Sequence, residues 1–267
     1  MADLRPSPDG GPLVVAHRGS SAALPEHTIG AYLRAIDEGA EAVECDVRLT
    51  RDGHLVCIHD GTPARVSDGT GRVSRLTLAE LEEFDFGSWH PHPDGKPAAD
   101  LRTRVLTLET LLAAVTDAGR PLRMFIETKH PTRHGGAVEV ELMKTLRRYG
   151  LEAPRPGADV AVTVMSFSPF AVRRLRQLAP ELDAVFLAER PWPGLRSGYL
   201  PAGAKIFGPG LAAVRAHPTL VTSQKAKGHR VYVWTVNQAA DVDFVLGLGA
   251  DAVITDRPRF VLDHLGR

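Results

Sequence analysis

The sequence has no excess of either charge, and this absence narrows the range of possible partners. Lysine and arginine together number 32, equal to the 32 aspartates and glutamates, so the formal net charge at pH 7 is zero. Proteins that bind nucleic acid normally carry a basic excess or a basic stripe, and the sequence has neither. We therefore expect a small-molecule substrate, recognised by a local site, and no nucleic-acid partner. The oligomeric state is left open.

Cysteines and long apolar runs are also scarce. The 267 residues include two cysteines, Cys45 and Cys57, and no CxxC pair. This usage favours a reduced, cytoplasmic setting over a disulfide-stabilised fold, although their spacing across a predicted hairpin permits a bridge. No run of about eighteen apolar residues occurs. Residues 1–11 are polar and rich in Pro and Gly. We therefore expect neither stable membrane insertion nor a signal peptide.

What the sequence does contain is an alternation of short β-branched runs with amphipathic segments. The predicted strands cover residues 12–16, 41–49, 123–128, 160–167, 184–188, 205–208, 230–236 and 252–255. The predicted helices include residues 27–38, 108–117, 138–149, 169–178, 220–227 and 239–248. This alternation is typical of a parallel sheet with crossover helices. Eight strands in a chain that is 43% hydrophobic predict one α/β domain over residues 1–267, a (β/α)8 TIM barrel.

One segment interrupts the alternation after the second predicted strand. The dipeptide Asp52-Gly53 lies between two apolar runs, which is typical of a hairpin, so we expect this strand to fold back on itself. Residues 60–104 then form a small insertion rich in Gly and Pro, with a short helix at 78–84 that Thr77 and Glu80 would cap. Because loops after barrel strands lie on the active-site face, we expect the insertion to act as a lid.

Charged and titratable side chains gather where the first strands end. They are His17, Arg18, Glu44, Asp46, His59, Glu127 and Lys129. Side chains alternate along a strand, so Glu44 shares a face with Asp46. Barrel strands are normally apolar, and one charged pair is often only a salt bridge that closes the barrel. The whole set at one barrel mouth indicates a functional site.

These residue types together favour phosphate-ester cleavage. Three carboxylates that converge on one mouth repel one another unless a cation lies between them, and oxygen ligands suit a hard ion such as Mg2+ or Ca2+. Two histidines supply an acid and a base near neutral pH. An arginine and a lysine add fixed positive charge, which suits an anionic phosphoryl group.

Short motifs recur along nearly the whole chain in a fixed order. They are HRG at 17–19, PEHT at 25–28, ECD at 44–46, HD at 59–60, ETK at 127–129, SF at 166–167, VWTVN at 233–237 and GADAVITD at 249–256. HRG alone is weak evidence, but the ordered set is specific. On these motifs, from residue 13 to 258, the chain resembles the glycerophosphodiester phosphodiesterase family.

The resemblance implies metal-dependent hydrolysis of a glycerophosphodiester to sn-glycerol 3-phosphate and an alcohol. It implies that Glu44, Asp46 and Glu127 hold the divalent cation. It also implies that His17 and His59 are the catalytic acid–base pair. The alcohol head group and the choice of Mg2+ or Ca2+ stay open. So does the nucleophile, which is either water or a neighbouring glycerol hydroxyl.

The resemblance implies further roles around this centre. Arg18 and Lys129 would bind the phosphate, Trp234 would line the substrate pocket, and Glu26 would lie close to the metal ligands. Two departures are visible. Residues 105–109 read VLTLE where the family often has PTLE, which leaves Thr107 to cap the next helix. The family also usually has asparagine where this chain has His27. We expect this change to alter the hydrogen bonding of Glu26 and, through it, metal affinity.

Several residues and activities are left with alternatives. Asp256 is expected either to cap the final helix or to orient residues of the site. Either of His130 and His134, on the loop after Lys129, would be near enough to touch substrate. Cys45 is expected to point towards the helix layer. A phospholipase D-like activity on lysophospholipids or sphingomyelin is one alternative function, and a barrel that binds ligand without catalysis is another.

Overall fold

The protein folds around a closed parallel barrel. The computed structural model describes residues 10–91, 103–155 and 157–267. The barrel strands are β1 (Leu13–His17), β2 (Ala42–Leu49), β4 (Leu122–Thr128), β5 (Val160–Ser166), β6 (Asp183–Ala188), β7 (Ile206–Pro209), β8 (Arg230–Val233) and β9 (Ala252–Thr255), and β3 (Leu55–Cys57) is outside the parallel set. Their order is β1-β9-β8-β7-β6-β5-β4-β2, and β1 pairs with β2 to close the ring. The predicted TIM barrel is confirmed.

Helices follow the strands and form the outer layer. They are α1 (Ile29–Asp37), α2 (Leu78–Glu82), α3 (Leu108–Thr116), α4 (Ala137–Arg148), α5 (Pro169–Leu178), α6 (Pro193–Arg196), α7 (Leu211–Ala216), α8 (Thr219–Ala226), α9 (Ala239–Gly247) and α10 (Pro258–His264). Side chains cap the first turns of three helices in this layer: Thr28 accepts a backbone N–H of α1, Thr107 one of α3, and Ser168 one of α5. None of the described helices is both long and apolar enough to cross a bilayer.

The structure differs from the predicted elements at β8 and in the stretch after β6. The strand predicted over 230–236 ends at Val233, because Trp234 makes only an isolated bridge to Gly210. The short helix α7 was not predicted, and the Pro- and Gly-rich stretch after β6 forms only the single turn α6. Proline there removes backbone donors, and glycine lowers helix propensity, so a longer helix cannot form.

The strand register brings the charged residues together. His17 at the end of β1 lies opposite Glu44 of β2, and Asp46 of β2 lies opposite Glu127 of β4. Alternation sends every second side chain of β2 into the barrel, so Cys45, between the two carboxylates, joins the buried cluster of the helix layer as expected. Both cysteines, Cys45 and Cys57, are buried and free, so the permitted bridge is not formed.

The predicted hairpin is present and returns the chain to the mouth. Strand β3 pairs antiparallel with the end of β2, with Val47 opposite Cys57 and Gly53 in the turn at φ +90°. The backbone N–H of Ile58 donates to the carbonyl oxygen of Asp46 at 3.0 Å. This bond holds the next residue, His59, beside the carboxylate-bearing part of β2.

The insertion shares a small apolar core with the hairpin strand β3. Its apolar cluster comprises Val56, Ile58, Val66, Val73, Leu81, Phe86 and Val105. The helix α2 begins with the expected capping box, in which Glu80 N–H donates to Thr77 Oγ1 at 3.2 Å and Thr77 N–H donates to Glu80 Oε2 at 2.7 Å. Residues 92–102, part of the predicted lid over 60–104, lie outside the described residues. The lid role stays a prediction.

Candidate active site

A cavity opens at the carboxyl ends of the strands, and its wall has two halves. The polar half contains His17, Arg18, Glu44, His59, Glu127 and Lys129. The apolar half contains Met165, Phe167, Leu187, Trp234 and Ile254. An exposed carboxylate, Glu189, also lines the cavity just after β6. Most of the site residues expected from the sequence therefore share one cavity, with Asp46 buried beside it.

Three buried carboxylates form the centre of the polar half. Glu44, Asp46 and Glu127 each offer an oxygen, and these atoms all lie within 4.8 Å of one another. Burial, together with the charge of Asp46, raises the pKa of Glu127 to about 8 and raises the pKa of Glu44 well above its usual range. The same burial would raise the pKa of Asp46, but Lys129 and the His27 hydrogen bond outweigh it and lower that pKa.

The donor chemistry of this cluster fits a hard divalent cation. All three donors are carboxylates, as Mg2+ and Ca2+ prefer. Lys129 Nζ lies 3.1 Å from Asp46 Oδ1 and 2.9 Å from Glu127 Oε1, so one lysine already serves two of the three carboxylates. Burial and the charge of Asp46 raise the pKa values of Glu44 and Glu127, so the protein's own cations do not fully offset the cost of ionising both carboxyls. A divalent ion between the carboxylates would offset that cost.

Arg18 lies beside the carboxylate cluster, and its backbone is strained. Its φ is +59°, a left-handed conformation that a residue with a side chain rarely adopts. Its backbone N–H donates to Glu44 Oε2 at 3.1 Å, its Nε lies 3.1 Å from Asp46 Oδ2, and its Nη1 donates to Glu26 Oε1 at 3.0 Å. Residues held in such conformations cluster at functional sites, because the surroundings must over-determine them.

The imidazole of His17 is held by Asp256. His17 Nδ1 and Asp256 Oδ1 are 2.7 Å apart, and the same carboxylate accepts from Ser21 Oγ at 3.0 Å and from Asn237 Nδ2 at 2.7 Å. The final helix has Arg257 at its N-cap position and no side-chain cap. Of the two expected roles of Asp256, the structure supports orientation. The carboxylate keeps the proton on Nδ1 and leaves Nε2 for the cavity.

The imidazole of His59 is held in a similar way. Its Nδ1 lies 2.8 Å from Asp60 Oδ1, and Arg48 donates two hydrogen bonds to its backbone carbonyl at 3.0 and 2.7 Å. Burial and the positive charges of Lys129 and Arg18 outweigh the charge of Asp46 and lower the pKa of His59 to about 4. This histidine is therefore neutral at neutral pH.

The ring of His27 contacts Asp46 of the carboxylate cluster, and its expected effect on Glu26 and on metal affinity stays a prediction. Neither ring nitrogen bonds to Glu26: Nε2 lies 3.0 Å from Asp46 Oδ2, and Nδ1 lies 2.8 Å from the Tyr32 hydroxyl. Its backbone has φ +58°, and this conformation turns the buried side chain towards β2. Burial lowers its pKa despite the nearby carboxylate of Asp46. Glu26 is held by arginines instead.

Several contacts were not expected from the sequence. Arg65 of the insertion forms ion pairs with Glu26 and with Asp60. Nothing in its Gly- and Pro-rich surroundings distinguishes it from other surface arginines. His130, a candidate for touching substrate, has its Nε2 2.6 Å from the buried Glu139. That nitrogen is therefore occupied.

A parallel barrel whose mouth joins a carboxylate cluster, two fixed cations and two oriented histidines belongs to the hydrolases of phosphate esters. A sequence model of the glycerophosphoryl diester phosphodiesterase family matches residues 17–260. The chain belongs to this family.

Relatives span most of the chain. A protein named "Probable glycerophosphodiester phosphodiesterase 1" from Mycobacterium tuberculosis is 47% identical over 251 residues, which cover 93% of this chain and 90% of that protein. A glycerophosphodiester phosphodiesterase of Caldanaerobacter subterraneus subsp. tengcongensis is 31% identical over 255 residues, covering 94% and 96%. The resemblance read from the motifs is confirmed.

Solved structures agree in fold. A phosphodiesterase of Oleispira antarctica, in complex with the product sn-glycerol-3-phosphate, has a TM-score of 0.80 at 24% identity, covering 96% of this chain and 97% of its own. A glycerophosphoryl diester phosphodiesterase structure from Silicibacter pomeroyi has a TM-score of 0.81 at 24% identity, covering 98% and 95%. At this identity the likeness concerns the barrel alone.

Proposed function

We propose that this enzyme hydrolyses glycerophosphodiesters to sn-glycerol 3-phosphate and an alcohol with the help of a divalent cation. The observation that carries the proposal is the cavity itself, in which two carboxylate-held histidines face a buried carboxylate cluster and two fixed cations. The product bound to the Oleispira antarctica enzyme agrees with this reaction.

The carboxylates of Glu44, Asp46 and Glu127 would hold Mg2+ or Ca2+. When bound, such an ion polarises a non-bridging phosphoryl oxygen and stabilises the charge that develops there. Glu26 is not one of the ligands in this scheme. It anchors Arg18, whose Nη1 donates to Glu26 Oε1 at 3.0 Å.

Arg18 and Lys129 bind the phosphate and keep it in place. Both line the cavity, and both are pinned by carboxylates, so their charges are fixed before substrate arrives. Trp234 lines the opposite side, where its indole N–H donates to the Gly208 carbonyl at 2.8 Å and its ring packs edge-on against Phe167. This rigid apolar wall accepts the carbon skeleton of the diester.

The two histidines move the protons. His59 is neutral because its pKa is lowered to about 4, so its Nε2 accepts the proton of the attacking hydroxyl. His17 acts in its doubly protonated, imidazolium form: Nδ1–H stays bonded to Asp256 while Nε2 delivers its proton to the departing alkoxide, which leaves the neutral imidazole. The attacking group is water or a hydroxyl of the substrate's own glycerol, and the second route gives a cyclic phosphate first.

We propose that the insertion borders the mouth and contributes to the choice of head group. Its first residues leave the barrel at His59, and its apolar cluster packs on the outer hairpin, separate from the barrel core. A segment placed there can change substrate selection without supplying the chemistry. We also propose a cytoplasmic location, in keeping with the two free cysteines.

A substrate panel tests the function. Glycerophosphocholine, -ethanolamine, -glycerol and -inositol are assayed after metal removal and again with Mg2+, Ca2+ or Mn2+. We expect release of glycerol 3-phosphate only with metal, and 31P NMR detects a cyclic phosphate if the glycerol hydroxyl attacks. Choline release from lysophosphatidylcholine or sphingomyelin, with no turnover of the glycerophosphodiesters, would replace the proposal with the phospholipase D-like alternative. No turnover of any diester would favour a barrel without catalysis.

A further inference from the structure

Arg65 of the insertion joins two carboxylates from different parts of the chain. Its Nη1 and Nη2 donate to the two oxygens of Glu26 at 2.7 Å each, and its Nε donates to Asp60 Oδ2 at 2.5 Å. A planar guanidinium binds two acceptors in fixed directions, which an ammonium group cannot do. Arg65 therefore fixes the positions of Glu26 and Asp60 relative to each other.

Each of these carboxylates holds one residue of the cavity. Glu26 Oε1, which accepts from Arg65, also accepts from Arg18 Nη1 at 3.0 Å. Asp60 accepts from Arg65 on Oδ2 and bonds to His59 Nδ1 on Oδ1 at 2.8 Å. One side chain of the insertion is thus linked to the phosphate-binding arginine on one side and to a catalytic histidine on the other.

Burial distinguishes this network from an ordinary surface ion pair. The Glu26 side chain is only 12% exposed, whereas Arg65 is 45% exposed. Burial would raise the pKa of Glu26, but the hydrogen bonds from Arg65 and the charge of Arg18 lower it to about 2. The neighbouring residue Val66 is buried in the apolar cluster of the insertion, so packing of the insertion fixes where Arg65 stands.

We propose that Arg65 is a positioning residue that sets the orientation and the basicity of His59 and anchors Arg18. The proposal rests on the proposed function, since it assigns the insertion a part in that same site. Arg65 neutralises part of the charge that Asp60 presents to His59. Without Arg65, the carboxylate of Asp60 rotates more freely, and its full charge favours the protonated imidazole.

The charges around His59 determine the direction of the expected shift. Asp46 and Asp60 raise the pKa of His59, while Lys129 and Arg18 lower it, and burial lowers it further. Replacing Arg65 with glutamine keeps all four charges, removes the cation that compensates Asp60, and loosens the anchoring of Arg18, whose charge lowers the pKa of His59. The pKa of His59 should rise.

The test compares R65Q and R65K with R51Q in the metal-loaded, full-length enzyme. Arg51 is a matched control, since it is also exposed and also forms an ion pair, with Glu80 on α2. We expect R65Q to lower kcat roughly 10- to 100-fold, as misplaced catalytic groups commonly do, while KM rises only a few-fold. The acid limb of the kcat/KM profile should move to higher pH. R65K keeps the charge, so it should retain the limb but recover kcat only in part.

R51Q should remain within about twofold of the wild type, as exposed ion pairs contribute little. Equal kcat and an equal acid limb for folded R65Q and R51Q would overturn the proposal. If circular dichroism shows that R65Q does not fold, R65K provides the test. A kcat of R65K equal to that of R51Q would contradict the need for a bidentate guanidinium. NMR titration of the His59 imidazole needs no substrate. If the pKa of His59 is the same in R65Q and in the wild type, the effect of Arg65 on basicity is refuted, whether or not the enzyme is active. If the wild type hydrolyses none of the diesters, that result counts against the proposed function and not against the role of Arg65.

Discussion

Replacing Asp256 with asparagine should disable His17 without emptying the cavity. The amide of Asn237 is oriented unambiguously, because its Oδ1 accepts from Thr255 Oγ1 at 3.0 Å and from Asp256 N–H at 2.9 Å. Its Nδ2 must therefore donate to Asp256 Oδ2. In the variant, one of the two acceptors at this side chain becomes an NH2 group.

Either orientation of the new amide is unfavourable. If its oxygen accepts from Asn237, its NH2 faces His17 Nδ1 and stabilises the tautomer whose proton is on Nε2. If its oxygen accepts from His17, its NH2 faces the NH2 of Asn237, and a donor left without an acceptor costs about 1–3 kcal/mol. The first orientation avoids this cost, so D256N should hold His17 as a neutral imidazole protonated only on Nε2. Without a proton on Nδ1, this form cannot give up its Nε2 proton and remain neutral.

The expected loss lies in kcat. A hydrogen bond to a charged group contributes roughly 1.5–3 kcal/mol, so loss of orientation alone costs about 10- to 100-fold. Loss of proton transfer at Nε2 costs on the order of 10²- to 10⁴-fold. We therefore expect D256N to lower kcat by about 10²- to 10⁴-fold with little change in KM.

Steady-state kinetics and 15N NMR of the His17 imidazole measure the two effects separately. The control is S21A, which removes a hydroxyl that donates to the His17 carbonyl at 2.7 Å and to Asp256 Oδ1 at 3.0 Å but leaves the bond between Asp256 and His17 Nδ1, and it should lose less than about fivefold. A D256N enzyme within about threefold of the wild type, with the correct fold, would refute the view that Asp256 sets the tautomer.

Three further predictions follow from the site. Chelation should abolish turnover, and a hard divalent ion should restore it. E44Q should bind the metal more weakly, as measured by calorimetry. Full activity after verified metal removal would contradict the role of the metal. H17A and H59A should each lower kcat by at least about 10²-fold, and the double variant should be little worse than the poorer single variant. If each single variant instead loses about tenfold and the two losses multiply in the double variant, the histidines only position the substrate. L81A should loosen the separate core of the insertion and change the ranking of substrates in the kcat/KM panel, and an unchanged ranking would leave specificity to the barrel.

The barrel and the position of its site could be predicted because both follow from local rules. A strand needs only a short β-branched run, and alternation within the strand already places Glu44 and Asp46 on one face. Parallel strands end on the same side, so charged residues at their ends must meet. The register that sets His17 opposite Glu44 and Asp46 opposite Glu127 adds precision to that prediction without changing it.

The contacts around the centre could not be predicted, because they depend on backbone conformation and on distant segments. His27 has φ +58°, and no pattern of neighbouring residues in the sequence indicates this conformation. The sequence suggested an effect of His27 on the neighbouring Glu26, but not that its Nε2 bonds to Asp46, nineteen residues away. Arg65 likewise meets Glu26 across 39 residues, from a loop whose composition predicts only a turn.

The pKa values of the site residues are the property that the sequence predicts least. Glu44 and Asp46 are two residues apart on one strand, and their sequence pattern gives them the same role. Burial and the charge of Asp46 raise the pKa of Glu44, while Lys129, His27 and Arg18 outweigh burial and lower the pKa of Asp46. Because these three side chains come from the loop after β1 and from the end of β4, only the closed barrel makes the two carboxylates different. The surroundings of Asp46 therefore favour its ionised form, whereas those of Glu44 disfavour it, and a bound cation would offset part of the cost of burying the Glu44 charge.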